Sequence, residues 1–187
     1  MTPSREWCWT LVNEWTKSPS LVRHMLACEA AMRSYARRFG ADEERWGCLG
    51  LLHDFDYEKY PDLTTEGHPV VGVRYLREQG IDEDILRAIM AHASYTGVKP
   101  ESQMEKTLVA VDEVTGFVTA VTLVRPSRKI ADVELKSIKK KWKEKEFAAG
   151  VHRGEIEVAT EALGVPLDEH IQVVLDAMKE RADALGL

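Results

Sequence analysis

The length, composition and charge of the chain exclude several classes of protein. With 187 residues, 44% of them hydrophobic, the chain can bury one sizeable core and is near the usual length of a single domain. Its net charge of -6 disfavours a protein that binds nucleic acid with its whole surface, because such proteins are normally basic. No apolar run approaches the roughly 18 residues of a membrane span, and the first residues lack the pattern of a signal peptide. We therefore expect a cytoplasmic protein with one domain over residues 1–187, and no partner in a membrane.

Apolar residues recur at helical spacing along almost the whole chain, and strand signals are nearly absent. Ser18-Pro-Ser is typical of a cap before a long amphipathic helix that Gly40 ends, and Asp42-Glu-Glu starts a helix that carries His53-Asp54 near its end. A loop is predicted over 57–67. The sequence predicts an all-α bundle with helices over 7–15, 21–39, about 42–54, 69–79, 82–93, 103–124, 133–149, 154–163 and 167–184.

The three cysteines, Cys8, Cys28 and Cys48, are widely spaced and odd in number, and each lies in an apolar helical context. No Cys-x-x-Cys pair is present. We interpret them as reduced packing residues without a disulfide framework.

Histidines and carboxylates in apolar helical segments form the pattern that carries chemistry. His24 follows Leu21 and Val22, His53-Asp54 follows an apolar run, and Asp112 lies within Leu108-Val-Ala-Val-Asp. A buried carboxylate needs a partner or a metal ion. A site that combines imidazole with carboxylate ligands favours zinc, manganese, iron, cobalt or nickel over calcium. Two histidines and two aspartates also leave coordination positions of the ion open for a water, which the ion can activate.

The order His24, His53-Asp54, Asp112 resembles the HD-domain superfamily of metal-dependent phosphohydrolases, over about residues 20–125. The segment Gly67-His-Pro-Val-Val-Gly is similar to the His-Pro segment of its HDIG-type members, and Ile89-Met-Ala-His92 is similar to the next histidine of two-metal members. The resemblance implies an HD-domain helical bundle, here with C-terminal helices added over about 130–187. It also implies one or two divalent ions, with Asp54 bridging, held by His24, His53, Asp54, His68, His92 and Asp112.

The sequence departs from the HDIG subgroup directly after the His-Asp pair, where it reads Phe55-Asp56-Tyr57-Glu58 instead of Ile-Gly. The substrate of that subgroup therefore does not transfer. Asp54 is the first candidate catalytic residue. Asp56 and Glu58 are candidates for a general base or for partners of a ligating histidine, and the alternative we favour for them is loop charges that face water.

Six lysines lie between Lys136 and Lys145, interleaved with Ile138 and Trp142 at helical spacing. An amphipathic helix with solvated lysines is the simpler interpretation. The alternative is a phosphate clamp in which Lys139 or Lys143 contacts the substrate, with Arg125 as a further candidate. Tyr95 and Thr96 follow His92 and either contact the substrate or form a turn. His152 and His170 lie in polar surroundings and are interpreted as surface residues.

The leading hypothesis is a phosphohydrolase that uses a metal-activated water on a small phosphorylated metabolite or nucleotide. A di-iron oxygenase similar to myo-inositol oxygenase is the first alternative, since it uses the same six ligands. A metal-stabilised module that binds a nucleotide without turnover is the second. A nucleic-acid substrate is disfavoured because Trp142 alone offers little for base stacking. The sequence does not indicate an oligomeric state.

Overall fold

In a computed structural model, which describes residues 1–63 and 66–187, these parts of the chain form helices, turns and loops without a β-strand. Two of the residues in the predicted loop over 57–67, Thr64 and Thr65, lie outside the described residues. The all-α prediction is confirmed. The helices are α1 Arg5–Trp15, α2 Pro19–Phe39, α3 Glu43–Leu52, α4 Val70–Glu78, α5 Glu83–His92, α6 Gln103–Leu123, α7 Leu135–Trp142, α8 Arg153–Leu163, α9 Leu167–Lys179 and α10 Ala182–Leu185.

Local signals explain where the two longest helices begin and end. The hydroxyl of Ser18 accepts a hydrogen bond from the Leu21 amide before α2, and Gly40 closes this helix at φ +64°, a conformation that glycine adopts at little cost. Before α6, Ser102 and Glu105 form a reciprocal capping box. Both helices therefore have defined N-termini, which fixes the register of the side chains along them.

Helices α2 and α6 are central to the bundle. Helix α2 packs against α3, α6 and α9, while α6 also packs against α5 and α8. At the contact of α2 with α3, a Cβ on Gly50 would lie 2.7 Å from the carbonyl oxygen of Cys28, so only glycine allows this close approach. The approach brings the end of α3, with its His-Asp pair, beside the side chain of His24 on α2.

The lysine-rich segment differs from its prediction. The helix predicted over 133–149 ends at Trp142, and turns follow it. Residues 143–146 are all exposed, so they have no apolar face that continued helix could bury. Phe147 instead packs edge-on against Phe117, with ring centroids 5.6 Å apart. The prediction of one helix over 167–184 is also wrong, because α9 ends at Lys179 and the chain bends so that Leu185 is buried and its carbonyl accepts a hydrogen bond from Arg23.

All three cysteines are free and buried, as predicted. The interpretation of His170 as a surface residue is wrong, since its side chain is fully buried. Its Nε2 donates to the carbonyl oxygen of Ala110 on α6, 2.8 Å away, which leaves Nδ1 to accept from the Tyr35 hydroxyl at 2.6 Å. We call this pair of hydrogen bonds the Tyr35–His170–Ala110 relay. It joins α2, α9 and α6, and it needs a neutral imidazole.

Burial lowers the pKa of His170 from about 6.5 to about 4. Between these values the unfolded chain binds more protons than the folded one, so the free energy of unfolding decreases as the pH is lowered through this window. We expect His170 to contribute a loss of about 2 kcal/mol between pH 7 and pH 5. Urea unfolding of the wild type and of His170→Gln, whose amide fits the same two partners without titrating, measures this contribution as the difference between their pH slopes. Equal slopes would contradict the prediction.

Candidate metal centre

One set of four side-chain atoms converges where α2, α3 and α6 meet. His24 Nε2 lies 3.1 Å from His53 Nε2, 3.0 Å from Asp112 Oδ1 and 3.5 Å from Asp54 Oδ2. His53 Nε2 is 3.5 Å from the same Asp54 oxygen and 3.6 Å from Asp112 Oδ1. Donor atoms at about 2.1 Å from one ion in tetrahedral or octahedral geometry lie about 3.0–3.4 Å from one another. These four atoms therefore have the spacing of ligands around a single ion.

A second set of three atoms adjoins the first through Asp54. The other oxygen of this carboxylate, Oδ1, lies 3.3 Å from His68 Nε2 and 3.3 Å from His92 Nε2, and the two nitrogens are 3.3 Å apart. Asp54 thus presents one oxygen to each set, in the way that a bridging carboxylate would. The structure brings all six predicted ligands together.

Hydrogen bonds on the far side of each ring hold the four imidazoles in one tautomer. Nδ1 of His53 donates to the carbonyl oxygen of Gly50, and Nδ1 of His92 donates to that of Ile89. Nδ1 of His68 is 2.7 Å from a carboxylate oxygen of Asp56.

For His24 the acceptor is the hydroxyl of Thr115, 3.2 Å from Nδ1, because this hydroxyl donates its own proton to the Asp112 carbonyl. In all four rings Nδ1 therefore carries the proton and the lone pair of Nε2 points into the centre. This is the arrangement of metal-ligating histidines.

The two carboxylates of the centre remain ionised. Burial works against the charge on Asp112, but contacts with His24 and His53 hold the pKa of this carboxyl well below its usual range. Burial also works against the charge on Asp54, but contacts with His53, His24 and His92 hold the pKa of this carboxyl well below its usual range. Anionic oxygens beside neutral imidazole nitrogens suit a transition-metal ion, and the residues present fit the metal that the resemblance implies.

Asp56 lies behind the centre and does not face water, so the interpretation that we favoured for it is wrong. Its side chain is buried, with one oxygen on His68 Nδ1 and the other accepting from the Gly72 amide at 2.7 Å. A Cβ on residue 72 would lie 2.6 Å from the Asp56 carboxylate, so glycine is required there. With both oxygens engaged, Asp56 positions His68 and has no oxygen directed at a substrate.

Asp56→Asn should weaken metal binding at the second set by about 10- to 100-fold, because the amide can accept from only one of the two donors and turns its NH₂ group towards the other. Competition with a chromophoric chelator measures the affinity. The control is thermal unfolding of the metal-free variant, which separates an effect on the site from a loss of fold. Wild-type affinity would refute the positioning role.

Two depressions border the centre. The acidic cleft, of about 370 Å³, is bordered by ligands of both sets and by Tyr57, Leu63, Tyr95, Glu113, His152 and Glu155. The apolar groove, of about 480 Å³, lies on the His24 side and is lined by Ser18, Ser20, Leu21, His24, Tyr57, Glu58 and Gly116. Among the described residues, neither is lined by a lysine or an arginine.

Of the predicted substrate contacts, the structure brings only Tyr95 to the centre. Its hydroxyl donates to the His68 carbonyl at 2.8 Å, and partial burial raises its pKa to about 12. The Thr96 hydroxyl closes a turn on the carbonyls of Met90 and Ala93.

The basic candidates lie elsewhere. Lys139 pairs with Asp168, the Arg125 guanidinium contacts the Ser137 hydroxyl, and Lys143 is exposed at the end of α7. None of the three lines the acidic cleft or the apolar groove, so the phosphate clamp does not form. These lysines instead follow the simpler interpretation of a solvated helix face.

Glu58 is exposed at the edge of the apolar groove, but its Oε2 accepts hydrogen bonds from the amides of Lys17 and Ser18, so it fixes the segment before α2. His152 is exposed as predicted, and it pairs with Glu113 at the rim of the acidic cleft.

Sequence reasoning missed several residues of the site. Tyr57 packs edge-on against His68, with centroids 5.3 Å apart, and borders both depressions. The thiol of Cys28 lies 3.9 Å from His24 Nε2 and belongs to the group of side chains around the first set. Thr115 is three residues after Asp112 and Cys28 four after His24, so helical spacing from a predicted ligand was the signal that could have found both.

The comparison with known families agrees with this geometry. A family model described as HD domain matches residues 21–114, a segment that contains all six converging side chains. The chain belongs to the HD domain family. HD domains bind divalent metal ions and form a superfamily of metal-dependent phosphohydrolases.

A curated relative of this HD protein is Ribonuclease Y of Oleidesulfovibrio alaskensis, which is 32% identical over 100 residues. The match covers 53% of this chain and only 18% of the relative's length. No solved structure matches the chain. None of the helices in the described part combines the length and apolar character that crossing a membrane requires.

Proposed function

We propose that this HD protein is a hydrolase of small phosphate esters that works with two divalent ions. The observation that carries the proposal is the shared Asp54 carboxylate, with one oxygen in each set of donor atoms and all four Nε2 lone pairs directed inwards. When bound, the ions would lower the pKa of a coordinated water and offset the negative charge of the phosphate.

The residues of this chain supply orientation and access. The six ligands hold the centre at the base of the acidic cleft, where a phosphate has an open approach. Tyr57 and Tyr95 border that approach with apolar rings, and the Tyr95 hydroxyl ties its loop to the backbone of His68. We assign Asp54 to the reacting centre and Asp56 to the positioning of His68, and we assign no catalytic role to Glu58.

The charges around the centre support a small substrate over a nucleic acid. A nucleic-acid site normally includes lysine or arginine side chains that neutralise several phosphates. The acidic cleft instead has Glu113 and Glu155 at its rim, and among the described residues neither depression is lined by a lysine or an arginine. The ribonuclease named among the relatives therefore gives no substrate for this chain.

Metal analysis of the protein purified without added metal, followed by phosphate release from a panel of phosphorylated metabolites and nucleotides, tests the proposal. We expect about two ions per chain and phosphate release that a chelator abolishes. Two irons with oxygen uptake and no phosphate release would favour the di-iron oxygenase instead. Tight nucleotide binding without any product would favour the binding module. A fully metal-loaded protein that hydrolyses nothing in the panel would refute the hydrolase.

A further inference from the structure

Gly116 stands in the middle of a 21-residue helix with no conformational need for glycine. It lies within α6, is not among the residues with positive φ, and follows the ligand Asp112 by four residues. Glycine inside a helix is less stable than alanine, because it loses more backbone freedom on folding. A Cβ at this position would meet no atom within 4 Å, so no neighbouring helix requires its absence.

The space in front of Gly116 is part of the apolar groove. His24, a member of the first set of donor atoms, forms one wall of this groove, and Leu21 and Tyr57 add apolar surface. The groove therefore continues directly from the metal centre. Its other polar members are Ser18, Ser20 and Glu58, and one Glu58 oxygen is already held by the backbone before α2.

We propose that the apolar groove binds an apolar group attached to the substrate phosphate, such as an aromatic ring, and that Gly116 is the residue that keeps the groove open. This inference rests on the proposed function, since it places the phosphate at the metal centre. The charges favour an uncharged group as the occupant. In the described part of the chain, no lysine or arginine lines the groove to bind an anion, and Glu58 is the one acid that lines it, with its Oε2 held by backbone amides. Gly116 determines specificity in this arrangement and has no part in bond cleavage.

Comparing phenylphosphonate with methylphosphonate measures binding in the groove independently of hydrolysis, because both present the same phosphonate group and neither has an ester bond to hydrolyse. We expect isothermal titration of the metal-loaded wild type to show tighter binding of phenylphosphonate by about tenfold or more, the effect of burying most of a ring face. In Gly116→Leu, whose side chain would fill the groove, this preference should be lost while the affinity for methylphosphonate is kept.

Two further variants act as controls. Gly116→Ala should raise the midpoint of thermal unfolding and reduce the preference only in part, since a single methyl group leaves most of the groove open. Ala120→Leu places the same leucine one turn further along α6, at a partly buried position that is not among the residues lining the groove, and should leave the preference unchanged.

Each outcome decides the proposal. Equal affinities of the wild type for the two phosphonates, or a preference that Gly116→Leu retains, would overturn it. Failure of both phosphonates to bind would overturn it together with the phosphate site. A phenyl preference that depends on Gly116, in a protein that hydrolyses no ester, would support the groove and refute the hydrolase. Ester hydrolysis without a phenyl preference would support the hydrolase and refute the groove.

Discussion

Replacing Asp54 by asparagine should abolish phosphate release, with a loss of about three orders of magnitude or more, and should also remove bound metal. Among the residues that the structure describes, Asp54 is the one group that presents an oxygen to both sets of donor atoms, so replacing its carboxylate by a neutral amide weakens both sites at once. Metal analysis of the purified variant and phosphate-release kinetics at saturating metal measure the two effects separately.

Asp168→Asn is the matched control, because it makes the same chemical change at an exposed aspartate that pairs with Lys139. It should keep wild-type metal content and activity. If Asp54→Asn retained both ions, the bridging arrangement would be wrong, even if activity were lost.

Variants in the separate sets extend this test. His53→Ala removes a donor atom from the first set alone, and His92→Ala removes one from the second alone. Each should lower the metal content from about two ions per chain towards one. A His53→Ala variant that keeps all its metal would show that the first set does not hold an ion.

Glu29→Ala should lower the free energy of unfolding by about 3 kcal/mol or more without changing the metal centre. The Glu29 carboxylate is buried, and it accepts from Arg5 Nε at 2.6 Å and from Arg33 Nε at 3.0 Å. Removal of the Glu29 side chain leaves Glu44 as the remaining carboxylate partner of Arg33, whose side chain is largely buried. The positive charge of Arg33 is then only partly balanced by negative charge. Urea unfolding of the metal-free protein measures the change.

Glu169→Ala is the comparison variant, since Glu169 and its partner Arg38 are both exposed. The loss there should be under about 1 kcal/mol, as for most ion pairs in water. Losses of similar size in the two variants would mean that burial does not govern the strength of these pairs.

The sequence alone was sufficient to predict the helical class and the six side chains that converge. His24 and Asp112 lie within apolar helices, where an isolated imidazole or carboxylate is costly to bury and therefore conspicuous. His68 lies in a turn, and it was predicted as a ligand, like His92, from the resemblance to the HD superfamily. Several breaks between helices were also predictable, because residues such as Gly40 and Gly164 end helices through a left-handed conformation that few other residues adopt. The ends of α7 and α9, which no such residue marks, were not predicted.

Residues whose roles depend on distant partners were not predictable. His170 follows Asp168 and Glu169 in the chain, and nothing local shows that Tyr35 and Ala110 enclose it. Asp56 also lies in a polar sequence, and its burial follows from the close approach of Gly72. Packing between elements far apart in sequence decides both positions, and local periodicity does not report it.

The Tyr35–His170–Ala110 relay has a consequence for the helices after residue 130. Ala110 is two residues before Asp112, so α9 braces the turn of α6 that presents this carboxylate to the ion. A chain shortened before α9 would free that carbonyl and uncover the neighbouring apolar surface of α2 and α6. We expect such a shortened chain to lose bound ion before it loses helix content, because the C-terminal helices support the candidate metal centre. They should therefore be retained in crystallisation trials.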